Sequence, residues 1–189
     1  SGTWLQALNV QLDAYYNEVE NKIIATPTNN FVRWTMINMG LVEIKGVDVV
    51  LQGLWKFGND WVFDSRLSYT YQKAQDFTDK SDKDTYGGQI SYIPWHSGSA
   101  ILNAGYKSWE LNYSFIYTGE RYDVSANTPE NYRLPWYTSD FSLAKKFSWR
   151  KYDFKLTLEV NNIFNQQYEV VRSYPMPGTN FKFILNLTI

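Results

Sequence analysis

Apolar and polar side chains alternate along many stretches of this chain. The cleanest stretch covers residues 61–71, whose apolar positions are Trp61, Phe63, Leu67, Tyr69 and Tyr71. The positions between them carry mostly polar side chains, among them Asp64, Arg66, Ser68 and Thr70. Because successive side chains of a β-strand point to opposite faces of a sheet, this period predicts a strand with one apolar and one polar face.

The same period recurs often enough to predict an all-β chain of about eight strands. The other seven are expected near residues 8–16, 33–57, 100–106, 111–118, 137–147, 154–161 and 181–189. The second of these changes phase, because Val42 and Ile44 stand at even positions whereas Val47 and Val49 stand at odd ones. We therefore predict a bulge at Lys45-Gly46, since one extra residue would return both sets to the same face.

The composition favours strands that face lipid. Aromatic residues are 18% of the chain, more than one soluble core can readily bury, yet the mean hydropathy is −0.43. A membrane barrel needs this combination, because one face of each strand meets lipid, the other meets a polar interior, and aromatic girdles mark the interfaces. The sequence has no apolar run long enough to predict a transmembrane helix. Its net charge of −1 argues against a nucleic-acid partner.

The connections between the predicted strands fall into two groups. Tight turns are expected at residues 57–60, 107–108 and 148–151, and long polar joins at residues 17–30, 77–97, 120–136 and 166–180. If the strands run alternately up and down, all tight turns lie at one end of the sheet and all long loops at the other. This arrangement is typical of an antiparallel outer-membrane barrel and not of a sandwich with Greek-key crossings.

The last thirty residues contain three short motifs. These are Asn162-Ile163-Phe164-Asn165, Tyr168-Glu169 and Tyr174-Pro175-Met176-Pro177-Gly178 followed by Phe181. They resemble the carboxy-terminal hairpin of TonB-dependent outer-membrane receptors, with Thr179 where that family often has arginine. Earlier segments extend the resemblance over roughly residues 5–189, in the style of vitamin B12 and siderophore receptors: Ile44-Lys45-Gly46-Val47-Asp48, Tyr69-Thr70-Tyr71, Tyr92-Ile93-Pro94-Trp95-His96 and Tyr117-Thr118-Gly119-Glu120-Arg121-Tyr122-Asp123.

This resemblance implies a fold and a function. The family's barrel has about 22 strands around a plugged lumen, so residues 1–189 are expected to be the carboxy-terminal part of an outer-membrane β-barrel domain, with the plug domain absent. The implied protein is a multi-pass receptor of the cell outer membrane that imports a bulky, scarce nutrient such as a metal chelate, cobalamin or glycan. Its implied partners are outer-membrane lipid, the missing plug and barrel strands, and the TonB energy-coupling complex, reached through the absent amino-terminal region.

The sequence predicts no catalytic, cofactor or metal site, and no enzyme. His96 is the only histidine, and a lone histidine at a loop end is more often a hydrogen-bonded surface residue than a base. Asp76, Asp79, Asp82 and Asp84 lack the spacing of a calcium hand and are interpreted as a solvated loop. Contacts to an extracellular small-molecule ligand are expected from aromatic residues in or beside the long loops, since flat amphipathic rings can stack on a ligand or mark a lipid interface. These candidates are Tyr86, Tyr92, Trp95, Tyr122, Tyr132, Trp136 and Tyr174.

Two alternatives remain open from the sequence. The chain could be a soluble or cell-surface all-β ligand-binding module, in which the apolar faces of the strands meet each other instead of lipid. It could also be a small passive outer-membrane barrel, which would require the first strand to pair with the eighth in a closed ring.

Overall fold

The computed structural model describes residues 4–28 and 33–188, and these residues form strands joined by turns and loops. A short 3-10 helix, Pro129–Asn131, interrupts one loop. No helix within these two ranges is long and apolar enough to span a membrane. The strands are β1 Leu5–Pro27, β2 Trp34–Phe57, β3 Trp61–Asp76, β4 His96–Tyr106, β5 Trp109–Thr118, β6 Arg121–Tyr122, β7 Tyr132–Arg133, β8 Trp136–Trp149, β9 Tyr152–Asn161, β10 Glu169–Val171, β11 Tyr174–Pro175 and β12 Asn180–Thr188.

Eight of these strands form one antiparallel sheet in the order β1-β2-β3-β4-β5-β8-β9-β12. The other four strands form two separate two-stranded ribbons, β6–β7 and β10–β11. When these ribbons are left out, neighbours in the sheet are also consecutive along the chain, as expected for an up-and-down fold. The all-β prediction and the number of strands are therefore confirmed. The terminal position Ile189, which belongs to the last predicted strand, lies outside the described residues.

One face of the sheet is apolar and largely uncovered. Its rungs pair apolar side chains across neighbouring strands, for example Val49 with Tyr69 and Phe183 with Leu158. The exposed fractions reach 76% at Phe181 and 66% at Phe183. Because no second sheet of the described residues covers these exposed side chains, the structure does not support the alternative in which apolar faces pack against each other.

The opposite, polar face carries a network of hydrogen bonds and ion pairs. Asn103 Nδ2 donates to Asp64 Oδ1 at 2.9 Å, and Lys155 Nζ lies 2.6 Å from Glu110 Oε2. A cavity of about 560 Å³ on this face is lined by residues from six strands, which shows that the sheet curves around its polar side. The polar face is therefore the interior of the curved wall, and the apolar face is its exterior.

The predicted bulge at Lys45-Gly46 is wrong. Both residues stay in register with β1, as Tyr16↔Lys45 and Tyr15↔Gly46, and with β3, as Lys45↔Lys73 and Gly46↔Gln72. The odd-numbered and the even-numbered apolar residues of β2 instead lie on opposite faces of the sheet, and each set has its own surroundings. Val47, Val49 and Leu51 belong to the apolar exterior, whereas Val42 lies in a small core with Met39, Ala74 and Ile90, and Ile44 packs against it. Since Ile90 comes from the loop after β3, that loop supplies the apolar cover which β2 needs on its interior face.

The long join predicted at residues 17–30 is also wrong in its length. β1 continues to Pro27 and pairs with β2 as far as Trp34, so the connection covers only residues 28–33, of which 29–32 lie outside the described part of the chain. The polar residues of this stretch remain in the ladder, as the Glu18↔Glu43 rung shows. Strands can pair through their backbones without apolar side chains. The polar residues of this stretch therefore show where the hairpin extends beyond the apolar band, and not where its strands end.

The remaining connections are divided between the two ends of the sheet as predicted. At one end, which we call the turn end, residues 58–60, 107–108 and 150–151 form tight turns, with positive φ at Gly58, Lys107 and Arg150. At the other, the loop end, residues 77–95, 119–135 and 162–179 connect the strands. Two ribbons that the sequence did not predict, β6–β7 and β10–β11, stiffen the last two loops.

The sheet order ends on β1 at one side and β12 at the other. Within residues 4–28 and 33–188, no pairing joins these two strands. The closed ring of eight strands that a small independent barrel would require is therefore not formed in this structure.

Candidate functional site

A buried carboxylate joins two of the long loops. Asp123, which follows β6, has no exposed surface. Its Oδ2 accepts a hydrogen bond at 2.6 Å from Nε of Arg133 in the same loop, lies 2.6 Å from Nη2 of that arginine, and lies 3.2 Å from Nη1 of Arg172 in the loop after β9. A buried carboxylate is stabilised only when it is paired and hydrogen-bonded. These contacts therefore hold the two loops together.

A second buried charge lies beside this pair. Arg121 is 4% exposed, and its Nη2 donates to the carbonyl oxygens of Glu169 and Val170 at 2.8 and 3.2 Å. Desolvation by burial lowers the pKa of the Arg121 guanidinium from its ordinary value. Its Nη1 is buried and has no hydrogen-bond partner among the described residues. Arg121 thus combines a firm anchor to the last loop with one donor that is not used.

The loop after β3 joins the same assembly through Tyr92. The backbone N–H of Tyr92 donates to the carbonyl oxygen of Tyr122 at 2.8 Å, and its hydroxyl accepts from the N–H of Arg172 at 3.3 Å. Tyr92 has a positive φ of 59°, a strained conformation for a residue with a side chain. Burial is the main cause that raises the pKa of its phenol. We call the group of Tyr92, Arg121, Asp123, Arg133 and Arg172 the loop junction.

Two cavities adjoin the loop junction at the loop end. One of about 420 Å³ is lined by Trp34, Tyr92, Arg121 and Trp136 among others. The second, of about 520 Å³, is also lined by Arg121 and Trp136, together with Tyr132, Arg133 and Tyr168. The ring of Trp136 packs at a tilt against that of Tyr168, with ring centroids 4.5 Å apart. Three arginines outnumber the carboxylates of Asp123 in the junction and of Glu169 in the lining of the larger cavity. The small excess of positive charge next to aromatic walls suits an anionic ligand with flat apolar parts.

The structure brings together some of the predicted ligand-contact residues. Tyr92 and Trp136 line the smaller cavity, Tyr132 and Trp136 line the larger one, and the ring of Tyr122 contacts that of Tyr132 at 5.7 Å. Trp136 shares the parity of Thr138 and Asp140, so it belongs to the interior face of β8. The contact of these residues with a ligand stays a prediction.

The other three candidates lie apart from the cavities. Tyr86 packs edge-on against Phe77 at 5.3 Å within its own loop. Trp95 lies under the ammonium group of Lys73, with 4.9 Å from Nζ to the ring centre. Tyr174 is 52% exposed on the β10–β11 ribbon. No contact in the described residues connects these three side chains with one another.

The sequence pattern does not predict the charged members of the loop junction. Arg121 and Asp123 stand in the segment that carries part of the resemblance, but nothing in their spacing indicates burial. Arg133 and Arg172 stand in different loops, thirty-nine positions apart, and only the fold places both beside Asp123. The Gly119-Glu120-Arg121-Tyr122-Asp123 segment was the one signal that could have drawn attention to them.

The acidic loop and the histidine have local structural partners. Oδ1 of Asp76 accepts from the N–H of Thr78, and Oδ1 of Asp79 from that of Ser81, each at 2.8 Å. Within residues 4–28 and 33–188, no group of three or more potential ligands could hold a metal ion. Nδ1 of His96 lies 2.8 Å from the hydroxyl of Tyr69, between the rings of Tyr69 and Tyr71 on the apolar face.

Comparison with known proteins places these observations in context. A family model described as TonB-dependent receptor-like, beta-barrel matches residues 2–163. The vitamin B12 transporter BtuB of Vibrio vulnificus (strain YJ016) is 23% identical over 177 residues, which are 90% of this chain and 25% of that protein. These relatives are named as a transporter and as receptors, in agreement with the expectation that the chain is not an enzyme.

Solved structures show the same fold at low sequence identity. The siderophore receptor PiuA of Acinetobacter baumannii matches with a TM-score of 0.67 at 17% identity, covering 94% of this chain and 25% of its own. The copper transporter OprC matches with a TM-score of 0.65 at 14% identity, over 95% of this chain and 28% of its own. The chain spans about a quarter of the length of these relatives.

Proposed function

This chain belongs to the TonB-dependent receptor-like β-barrel family, and we propose that it is the carboxy-terminal part of an outer-membrane receptor. The receptor binds a bulky, scarce nutrient such as a metal chelate, cobalamin or glycan at its loop end and imports it with energy supplied through TonB. The names of the relatives, which include a vitamin B12 transporter, a siderophore receptor and a copper transporter, support cobalamin and metal chelates within this range.

The loop junction and its two cavities are the main support for this proposal. Their volumes of about 420 and 520 Å³ fall within the usual range for small-molecule sites. Arg121, which lines both cavities, and the tilted ring pair of Trp136 and Tyr168 offer one charged and one flat contact. We infer that the ligand presents an anionic group to Arg121 and a planar surface to Trp136.

The wall of the sheet supports the placement in the outer membrane. Its exposed apolar exterior suits contact with lipid, and its polar interior suits contact with a plug. β1 and β12 end the sheet order, so we propose that they pair with further strands of a larger barrel. TonB would engage a part of the receptor beyond the matched barrel segment.

The proposal is tested in the full-length receptor, expressed in a Gram-negative strain that lacks its own receptors for the nutrients supplied. Uptake of radiolabelled cobalamin, ferric siderophores and copper is measured with and without TonB. We expect saturable, TonB-dependent uptake of at least one of them, and a strong loss of uptake in Arg121→Gln. The matched control, Arg150→Gln at the turn end, should transport like the wild type. A receptor that fractionates outside the outer membrane, or uptake that is independent of TonB, would contradict the proposal.

A further inference from the structure

Two lysines stand directly opposite each other on the apolar exterior of the sheet. Lys45 of β2 pairs in register with Lys73 of β3, one rung beyond Val47 and Tyr71. The Cβ atoms of opposite residues in an antiparallel pair are about 5 Å apart, so like charges at such positions destabilise the sheet. Neither lysine takes part in an ion pair with any residue of the described ranges. The rung therefore lacks the anion that would offset its repulsion.

The lysine rung lies at the height of lipid headgroups. At about 3.3 Å per residue, β3 extends roughly 40 Å from Trp61 at the turn end to Lys73, and a strand tilt near 40° reduces this to about 30 Å along the membrane normal. The apolar band of such a barrel is about 25 Å tall. Tyr71 and His96, with ring centroids 5.1 Å apart, lie just below the rung as an aromatic girdle. Lys45 and Lys73 thus stand just outside the hydrocarbon layer.

The surrounding groups leave the two ammonium groups accessible from the membrane plane. Nζ of Lys73 is 4.9 Å from the centre of the Trp95 ring, which fixes its position by a cation–π contact. Lys45 is exposed, and its neighbour across the β1 pairing is Tyr16. The nearest acidic residues form the next rung toward the loop end, Glu18↔Glu43. A headgroup that rises from the lipid layer meets the lysines before the glutamates.

We propose that Lys45 and Lys73 together bind the phosphate group of an anionic lipid in the outer leaflet of the membrane. Two ammonium groups on adjacent strands can each donate to a different oxygen of one phosphate, which removes their mutual repulsion. Basic side chains beside a membrane surface are attracted electrostatically to anionic lipids. This inference rests on the proposed placement of the chain in an outer membrane, and it concerns a surface remote from the loop junction.

The test uses the purified full-length receptor in detergent micelles and a diphosphorylated lipid A as the probe. Binding is followed by the fluorescence of the tryptophans, which include Trp95, and by native mass spectrometry. We expect the double variant K45Q/K73Q to bind about tenfold more weakly or worse. K45R/K73R keeps the charge and should bind like the wild type. The matched control K107Q/K151Q removes two lysines at the turn end and should also bind like the wild type.

Several outcomes would overturn the inference. Equal binding by K45Q/K73Q and the wild type would do so, as would equal binding of the same lipid without its phosphates. Full competition by inorganic phosphate at millimolar concentration would show a site for free phosphate and not for a lipid. The double variant E18Q/E43Q should bind the probe more tightly, and weaker binding would show that the glutamates are part of the site.

The same variants separate this inference from the proposed function. K45Q/K73Q could insert in the outer membrane and transport nutrient normally but still bind the lipid like the wild type. This result would exclude the lipid site and leave the proposed function standing. If the wild-type receptor does not fractionate with the outer membrane, the proposed function fails first. Heat-dependent migration of the folded barrel on gels verifies that each variant is folded.

Discussion

Two carboxylates in this chain are each held by two basic side chains, but in different surroundings. Glu110, on the polar face near the turn end, contacts Lys146 and Lys155 and keeps 40% of its side chain exposed. Asp123, at the loop junction, contacts Arg133 and Arg172 and has no exposed surface. Water screens the first group and is excluded from the second. We expect the wall to tolerate the loss of its ion pairs, whereas the loop end depends on them.

The largest effect is expected from Asp123→Asn. The substitution leaves the guanidinium groups of Arg133 and Arg172 without their carboxylate, and breaking a buried pair costs about 3–5 kcal/mol. The contacts between loops 119–135 and 162–179 should open while the sheet stays folded. Limited proteolysis of the full-length receptor should cut these loops much faster than in the wild type.

The matched control is Glu110→Gln, which removes a carboxylate with the same number of basic partners. Because Glu110 is well exposed, we expect a change of about 1 kcal/mol or less and unaltered proteolysis of the loops. Equal effects of the two substitutions would show that burial does not distinguish the two regions.

A smaller loss is expected from Trp136→Ala. It removes the ring that lines both cavities and packs against Tyr168. Aromatic anchors of this kind dominate binding energies, so ligand affinity should fall about tenfold or more. The measurement is equilibrium binding of the transported nutrient. Trp149→Ala, an exposed tryptophan at the turn end, should leave the affinity unchanged.

Arg133→Lys is expected to have a weaker effect than Asp123→Asn. Both Nε and Nη2 of Arg133 lie 2.6 Å from the carboxylate of Asp123, and a lysine offers a single ammonium group. The loss of one charge-assisted hydrogen bond should destabilise the loop junction by about 1–3 kcal/mol. Hydrogen exchange of the β6–β7 ribbon reports this change. Protection equal to that of the wild type would show that a single cation is enough.

The smallest effect concerns Asp79 in the exposed loop after β3. Its hydrogen bonds from the side chain and backbone of Ser81 lower the pKa of the Asp79 carboxyl. The pKa of this carboxyl is therefore lower in the folded than in the unfolded protein, so its hydrogen bonds stabilise the fold at pH values above the ordinary pKa. This stabilisation is lost as the pH falls through the lowered pKa. Acidification below about pH 4 should loosen this turn in the wild type and change nothing in Asp79→Asn. Amide exchange of residues 79–82 gives the measurement.

The sequence predicted the wall of the sheet well because the wall depends on local patterns. β5 and β9 were expected at residues 111–118 and 154–161 and begin only two residues earlier in the structure. Where the prediction failed, a neighbour from a different part of the chain was the cause. The phase change in β2 predicts a bulge if one face of the strand is polar throughout. In the structure, Ile90 from a distant loop covers the apolar residues on that face. The polar residues in the far half of β1 predict a loop by themselves, and only their pairing with β2 makes them part of a strand.

By itself, the sequence determined the period and the polarity of each face, since both follow from the alternation of side chains along one strand. It also determined the sorting of turns and loops, since this follows from the lengths of the connections between antiparallel neighbours. Only the tertiary structure decided which charges are buried. Asp123, Arg133 and Arg172 meet because two long loops lie at the same end of one antiparallel sheet, and Lys45 faces Lys73 because of the register between β2 and β3. Contacts between distant segments depend on pairing and closure, and no local pattern carries that information.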